Sequence, residues 1–222
     1  MAIQIQGSGG TTADVAGTTF RALKIQTMPT DYGALGHYGV GLATGILPAG
    51  LAANSEIFQF RWADATRFAL VRRFRISAAV STTFFAAGVP VQIDLIKSTS
   101  WSVQGTLGTG VTMGTALKKR ATMGSSLVGA GDMRIATTAA LGAGTKTLEA
   151  NSFAMAMAPG PVAAPGTIIA PGTVLWEADI GEGDHPFLLA TNEGLSIRAV
   201  GVPALGTWQF TVQMSWAEIS AF

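Results

Sequence analysis

Glu182-Gly-Asp184-His185 is the densest group of potential ligands in this chain of 222 residues. Two carboxylates and an imidazole in one glycine-containing loop could hold a divalent cation through oxygen and nitrogen. A solvated acidic turn ahead of Pro186 accounts for the same residues. No calcium-loop spacing follows, and a metal site needs further ligands from elsewhere. The other histidine, His37, lies among glycines and tyrosine and reads as a structural or merely exposed imidazole. No Gly-x-Ser-x-Gly elbow is present to expose a serine nucleophile. Gly39-Val-Gly41-Leu-Ala-Thr-Gly45 is one residue too long for the dinucleotide fingerprint. Gly108-Thr-Gly110-Val-Thr-Met113 has methionine where the third glycine belongs. Neither leads into a helix whose amides would bind the phosphate. The acids, 13 in all, are scattered over turns, and no local pattern selects a pair for glycoside hydrolysis. The residues therefore assign no catalytic, cofactor-binding or metal-binding site.

Cations cluster more clearly than acids. Arg67, Arg72, Arg73 and Arg75 lie on or beside one strand-like segment. They could meet carboxylates of an acidic partner subunit through guanidinium forks, or defend an edge strand against unwanted pairing. Lys118-Lys119-Arg120 reads as a solvated loop tip. Met155 and Met157, with Phe58, Phe60 and Trp62, read as core.

The elements that would position these groups are strands. Thr207–Glu218 sets Trp208, Phe210, Val212, Met214 and Trp216 on one parity and Thr207, Gln209, Thr211, Gln213 and Ser215 on the other. Period two gives an extended strand one apolar and one polar face. Ile57–Trp62, Phe68–Val80 (with Leu70, Phe74 and Ile76 on one parity), Val89–Ile96, Leu148–Met157 and Val174–Ile180 read as further strands. In the last, Val174, Trp176, Ala178 and Ile180 share a face. Phe68–Val80 and Val89–Ile96 are expected to pair as neighbours, and Phe187–Ala190 with Leu195–Val200 as a hairpin around Asn192 and Gly194. Ala63–Ala69 is expected to form a helical turn or two. Pro159–Gly172 reads as a rigid extended connection, and Ser98–Gly144 as a Gly/Thr-rich excursion with short strands, one near Met133–Thr137. No segment keeps helical spacing, so the fold expected is all-β, a sandwich or barrel, with some eight main strands suiting a jelly roll. The organisation expected is an N-terminal arm over residues 1–18 and one β-sandwich domain over 19–222, with the loop-rich excursion at about 98–144.

Composition narrows the partners. Only 12% of residues are charged against 48% hydrophobic, with 28 glycines; soluble domains average about 25% charged. Such a surface must be built from small neutral residues or be covered by other subunits. A formal net charge of +1 argues against general affinity for nucleic acid or anionic membranes. The absence of cysteine removes disulfides, thiolate metal sites and cysteine nucleophiles. The N-terminus shows no secretory pattern, and the uncharged run between Glu149 and Glu177 holds too many prolines for a spanning helix.

The block His185-Pro-Phe-Leu-Leu-Ala-Thr-Asn-Glu-Gly-Leu-Ser-Ile-Arg198, with Pro203-Ala-Leu-Gly-Thr-Trp-Gln-Phe210 and Ser215-Trp-Ala-Glu218, resembles the endings of tailed-bacteriophage virion proteins. The resemblance covers about the last fifth of the chain in detail. It implies a jelly-roll-like cement or decoration protein without catalytic residues or cofactor. Such a protein would be a homo-oligomer bridging major capsid or other virion proteins, located in the virion after assembly in the host cytoplasm. The competing expectation is a carbohydrate- or receptor-binding module of a tail or head fibre, with Trp101, Tyr32 or Tyr38 as aromatic platforms.

Overall fold

The structure, a computed structural model, describes residues 15–16, 22–23, 35–83, 90–113, 117–158, 164–179, 185–202 and 204–220. The strands in chain order are β1 (Val15–Ala16), β2 (Ala22–Leu23), β3 (Gly36–Ala43), β4 (Leu47–Pro48), β5 (Ser55–Trp62), β6 (Phe68–Val80), β7 (Val91–Val103) and β8 (Thr109–Gly110). They continue with β9 (Met133–Ile135), β10 (Thr145–Leu148), β11 (Ala154–Ala158), β12 (Ile168–Glu177), β13 (Phe187–Leu189), β14 (Glu193–Gly201) and β15 (Thr207–Ile219). No helix occurs among the described residues. Ala63–Ala69 does not make the expected helical turn. Asp64 instead accepts the amides of Thr66 and Arg67, both at 2.8 Å, and closes a tight turn into β6.

The main strands pair first with last and inward from there. β3 pairs β15, β5 pairs β14, β6 pairs β12, and β7 pairs β11, all antiparallel. Rolling this long hairpin adds the pairings β6–β15 and β7–β14. One sheet then runs β12-β6-β15-β3, with β13 and β4 at its ends, and the other runs β10-β7-β14-β5-β9-β8, with β11 also on β7. This is jelly-roll order. The pairing also corrects two local readings. β6 and β7 are consecutive yet lie in different sheets. β13 and β14 do not form a hairpin, because β13 joins β6 while β14 joins β5 and β7. Asn192 does take the expected positive φ, at 63°, but the turn carries the chain from one sheet to the other.

β15 explains how the sheets hold together. Trp208, Phe210, Val212, Met214 and Trp216 are all buried in the main core. Trp216 stacks on Tyr38 of its own sheet at 5.5 Å and meets Phe60 of the opposite sheet at 5.8 Å. Phe58 and Phe74 make a second edge-on contact across the sandwich at 6.1 Å. Burying aromatic side chains in such numbers is the main favourable term for the fold.

Bulges shift the parity of two strands. Between Ser215↔Arg73 and Trp216↔Val71, residue Arg72 is an extra one in β6. Val71 therefore joins Phe74 and Ile76 in the main core, whereas Leu70 turns outward into a small cluster with Ala217 and Ile219. β12 slips register three times along β6. As a result Leu175 is buried, Trp176 is half-buried and Val174 is exposed, against the simple alternation expected there.

The long excursion after β7 is a strap. β8 and β9 extend the sheet past β5. Lys118 then bridges to Tyr38, and the Lys119 amide donates to the His37 carbonyl, 2.9 Å, beside β3 of the other sheet. The return passes over the outer face of β5, where Gln59 donates to the Gly142 carbonyl at 2.9 Å.

Candidate interaction surfaces

The carboxylates of Glu182 and Asp184 lie outside the described residues; His185 is exposed. Among the described residues no three metal-ligating side chains come together. Trp101 and Tyr38 are fully buried and present no platform to a sugar, and Tyr32 lies outside the described residues. Arg67 sits in the turn before β6, where its carbonyl accepts the Trp62 indole at 2.7 Å, apart from Arg72, Arg73 and Arg75. β6 is flanked by β12 and β15, so its arginines do not guard a sheet edge.

Sequence reasoning missed a layer of buried polar groups on the outer face of the seven-stranded sheet. Glu56, Gln59, Asp94, Ser98 and Ser196 are all buried there. One Glu56 carboxylate oxygen accepts from Lys146 Nζ at 2.5 Å, Gln59 Nε2 at 2.6 Å and Ser196 Oγ at 2.9 Å. The Lys146 ammonium also lies 3.9 Å from the Trp101 ring centroid. Burial pushes the Lys146 amine below its ordinary value, against the opposing pull of Glu56. Asp94 is held by Arg198, 3.0 Å from Nε and 2.5 Å from Nη2, and by Ser152. Asp94 and Arg198 stand on facing positions of β7 and β14, but the strap residue Lys146 comes from far along the chain. Local alternation marks such positions as outward, and nothing in it signals that another segment will cover them.

Glu218 is the comparable group on β15. Its carboxylate accepts from Ser126 Oγ at 2.5 Å, the Leu127 amide at 3.1 Å and the Trp216 indole at 3.3 Å. Burial nevertheless raises its pKa, because desolvation outweighs those donors. These contacts fasten the strap to β15.

Two features face solvent instead. The first is an apolar seam where the sheet edges β11 and β12 meet. Met155 and Met157 were expected in the core but are 51% and 65% exposed, and Phe153 is exposed just ahead of them; Ile168 and Val174 are exposed on β12, opposite Ala79 and Arg75 of β6. Phe153 packs edge-on against Phe187 at 4.2 Å, and Trp176 tilts onto Phe187 at 4.3 Å. A slot of about 140 Å³ lined by Ile76, Ile93, Met157 and Pro171 opens along the seam. The uncharged run between Glu149 and Glu177 thus includes two strands, β11 and β12, that carry exposed apolar side chains.

The second feature is a basic trough on the outer face of the six-stranded sheet. Register places Gly39, Ser215, Arg73 and Glu177 in one cross-strand row, and Gly41, Gln213, Arg75 and Val174 in the next. Lys119 of the strap lines the trough beside Arg72 and Arg73. His37 feels these cations: burial first, then Arg72 and Lys119, hold its imidazole below the usual 6.5. Arg73 reaches Glu177 at 3.3 Å, with both side chains well exposed. No protein-family model, curated protein or solved structure matches this chain.

Proposed function

We propose that the chain is a non-enzymatic structural subunit of a bacteriophage virion, bridging neighbouring capsid subunits as a cement or decoration protein. The observation that carries this reading is the exposed apolar edge of β11, Met155 and Met157, with Phe153 exposed just ahead of it. Large apolar side chains exposed on an edge strand suit contact with another protein, and the chain is poor enough in charge for such contacts to be extensive. The jelly roll supports the reading in kind, since capsid subunits and lectins both use it, although fold alone does not select a function. The buried Glu56–Lys146 pair and the Glu218 contacts tie the strap down, which suits a subunit whose work is rigidity. Co-sedimentation with purified phage capsids tests the proposal. Saturable binding, lost in a Met155→Asp/Met157→Asp variant that keeps its β-sheet circular dichroism, is expected; absence of binding overturns it.

A second reading, a carbohydrate-binding module of a tail or fibre, is favoured by the partly exposed Phe153–Trp176–Phe187 cluster. Aromatic faces of this sort suit sugar C–H groups. A glycan array separates the two readings: a saturable hit abolished by Phe153→Ala belongs to the module, and a blank array with capsid binding belongs to cement.

A further inference from the structure

The basic trough lies on a different surface from the seam and does not depend on the virion reading. Its floor is unusual in chemistry. Across β3, β15 and β6 the outward positions are Gly39, Gly41, Gln213, Ser215, Arg73 and Arg75. Among the described residues that floor holds no carboxylate, and Glu177 stands at its β12 rim. The two contiguous basins have volumes of about 220 and 260 Å³. Gly39 is overlaid by the Lys119 side chain, 3.5 Å from where its Cβ would stand, whereas Gly41 leaves the sheet open to a second chain. A Cβ at Gly41 would find only Gln213 Cγ, at 3.8 Å, which shows how open that position is.

Among the described residues the trough gathers more cations than carboxylates. Arg72, Arg73, Arg75 and Lys119 line or border the trough, against Glu177 on its rim and Asp179, which follows the Ala178 amide bonded to the Arg72 carbonyl. Glu177 engages Arg73 through one contact in an exposed setting, where an ion pair contributes little and is readily exchanged. His37 at the same end is held below its usual 6.5 by burial first and then by Arg72 and Lys119.

We propose that this trough binds an extended, carboxylate-rich segment of a partner protein. Arg73 and Arg75 are two residues apart on one strand, so they stand roughly 7 Å apart along it. Carboxylates at alternate positions of an extended peptide repeat at the same interval. An acidic chain lying along β6 can therefore set successive carboxylates on successive guanidiniums, which bind them as forks. Gln213 and Ser215 supply hydrogen-bonding groups on the adjoining strand, and Lys119 closes one end. Specificity is for alternation of acid with neutral residues, and steering is electrostatic.

The test is fluorescence anisotropy at 50 mM salt with a labelled (Glu-Thr)4 peptide, alongside the block peptide Glu4Thr4 and a (dT)8 oligonucleotide. The alternating peptide is expected to bind best, weakening severalfold as salt rises to 300 mM. Arg73→Gln/Arg75→Gln is expected to weaken it at least fivefold. Gly41→Glu, which places a carboxylate in the trough, is expected to do the same, and it keeps the test valid should the double variant fail to fold. No binding by the alternating peptide, equal binding by folded variants, tighter binding of the block peptide, or tighter binding of the oligonucleotide each overturns the proposal.

Discussion

Lys146 is the side chain on which the strap depends most. Its ammonium and the Glu56 carboxylate are almost wholly withdrawn from water, at 2% and 6% exposure. Removing one partner leaves the other charge buried and unpaired, which costs about 3–5 kcal/mol. Lys146→Ala should therefore lower unfolding stability by that amount in denaturant titration. Lys146→Met combined with Glu56→Gln should recover much of the loss, because no naked charge remains. Glu218 gives a prediction in pH. Its native pKa is raised above the ordinary 4.5, so the folded state holds this proton more tightly than the unfolded one. Its contribution is fully present below 4.5 and is lost as pH rises through the native value. The Tm of the wild type relative to Glu218→Gln should thus be most favourable near pH 4 and decline toward neutrality; a difference independent of pH would contradict the assignment. At this scale the sequence is legible where one strand decides, as with Trp208, Phe210 and Trp216. It is opaque where a distant segment supplies the partner, as Lys146 does for Glu56 and Ser126 does for Glu218.

Among elements, β14 shows how closely the outer layer is packed. A Cβ on Gly194 would collide with the Phe60 carbonyl and the Trp101 ring. Gly194→Ala should cost on the order of 1–3 kcal/mol as an overpacking change. Gly124→Ala, where a Cβ meets nothing within 4 Å, should leave stability unchanged within about 0.5 kcal/mol. Denaturant titration of the two variants side by side checks the contrast. The strands themselves were readable from period-two alternation, including β5, β7 and β15. Their pairings were not, because jelly-roll neighbours such as β3 and β15 lie at opposite ends of the described chain. Bulges added the remaining errors: the extra residue Arg72 reverses the faces of Leu70 and Val71, and slippage in β12 exposes Val174. Both follow from backbone pairing that side-chain pattern does not encode.

For the whole molecule, the described residues present an apolar edge at β11 and a cationic trough on the six-stranded sheet, while Glu56–Lys146 ties down the strap and Asp94–Arg198 joins β7 to β14. The shortage of charge seen in the composition has a structural counterpart: part of the ionic complement is withdrawn into the Glu56–Lys146 and Asp94–Arg198 pairs, and the seam between Glu149 and Glu177 has none to show. β11, reading Ala-Met-Ala-Met-Ala in unbroken register on β7, is an edge without lysine, proline or bulge, the kind that invites another chain. Burial of this rim in an assembly is the central claim. Sedimentation velocity over a range of micromolar concentrations tests it most directly, comparing wild type with Met155→Asp/Met157→Asp. The account predicts a wild-type multimer and a folded, monomeric variant; a wild type that stays monomeric throughout, or a multimer indifferent to the substitutions, would contradict it.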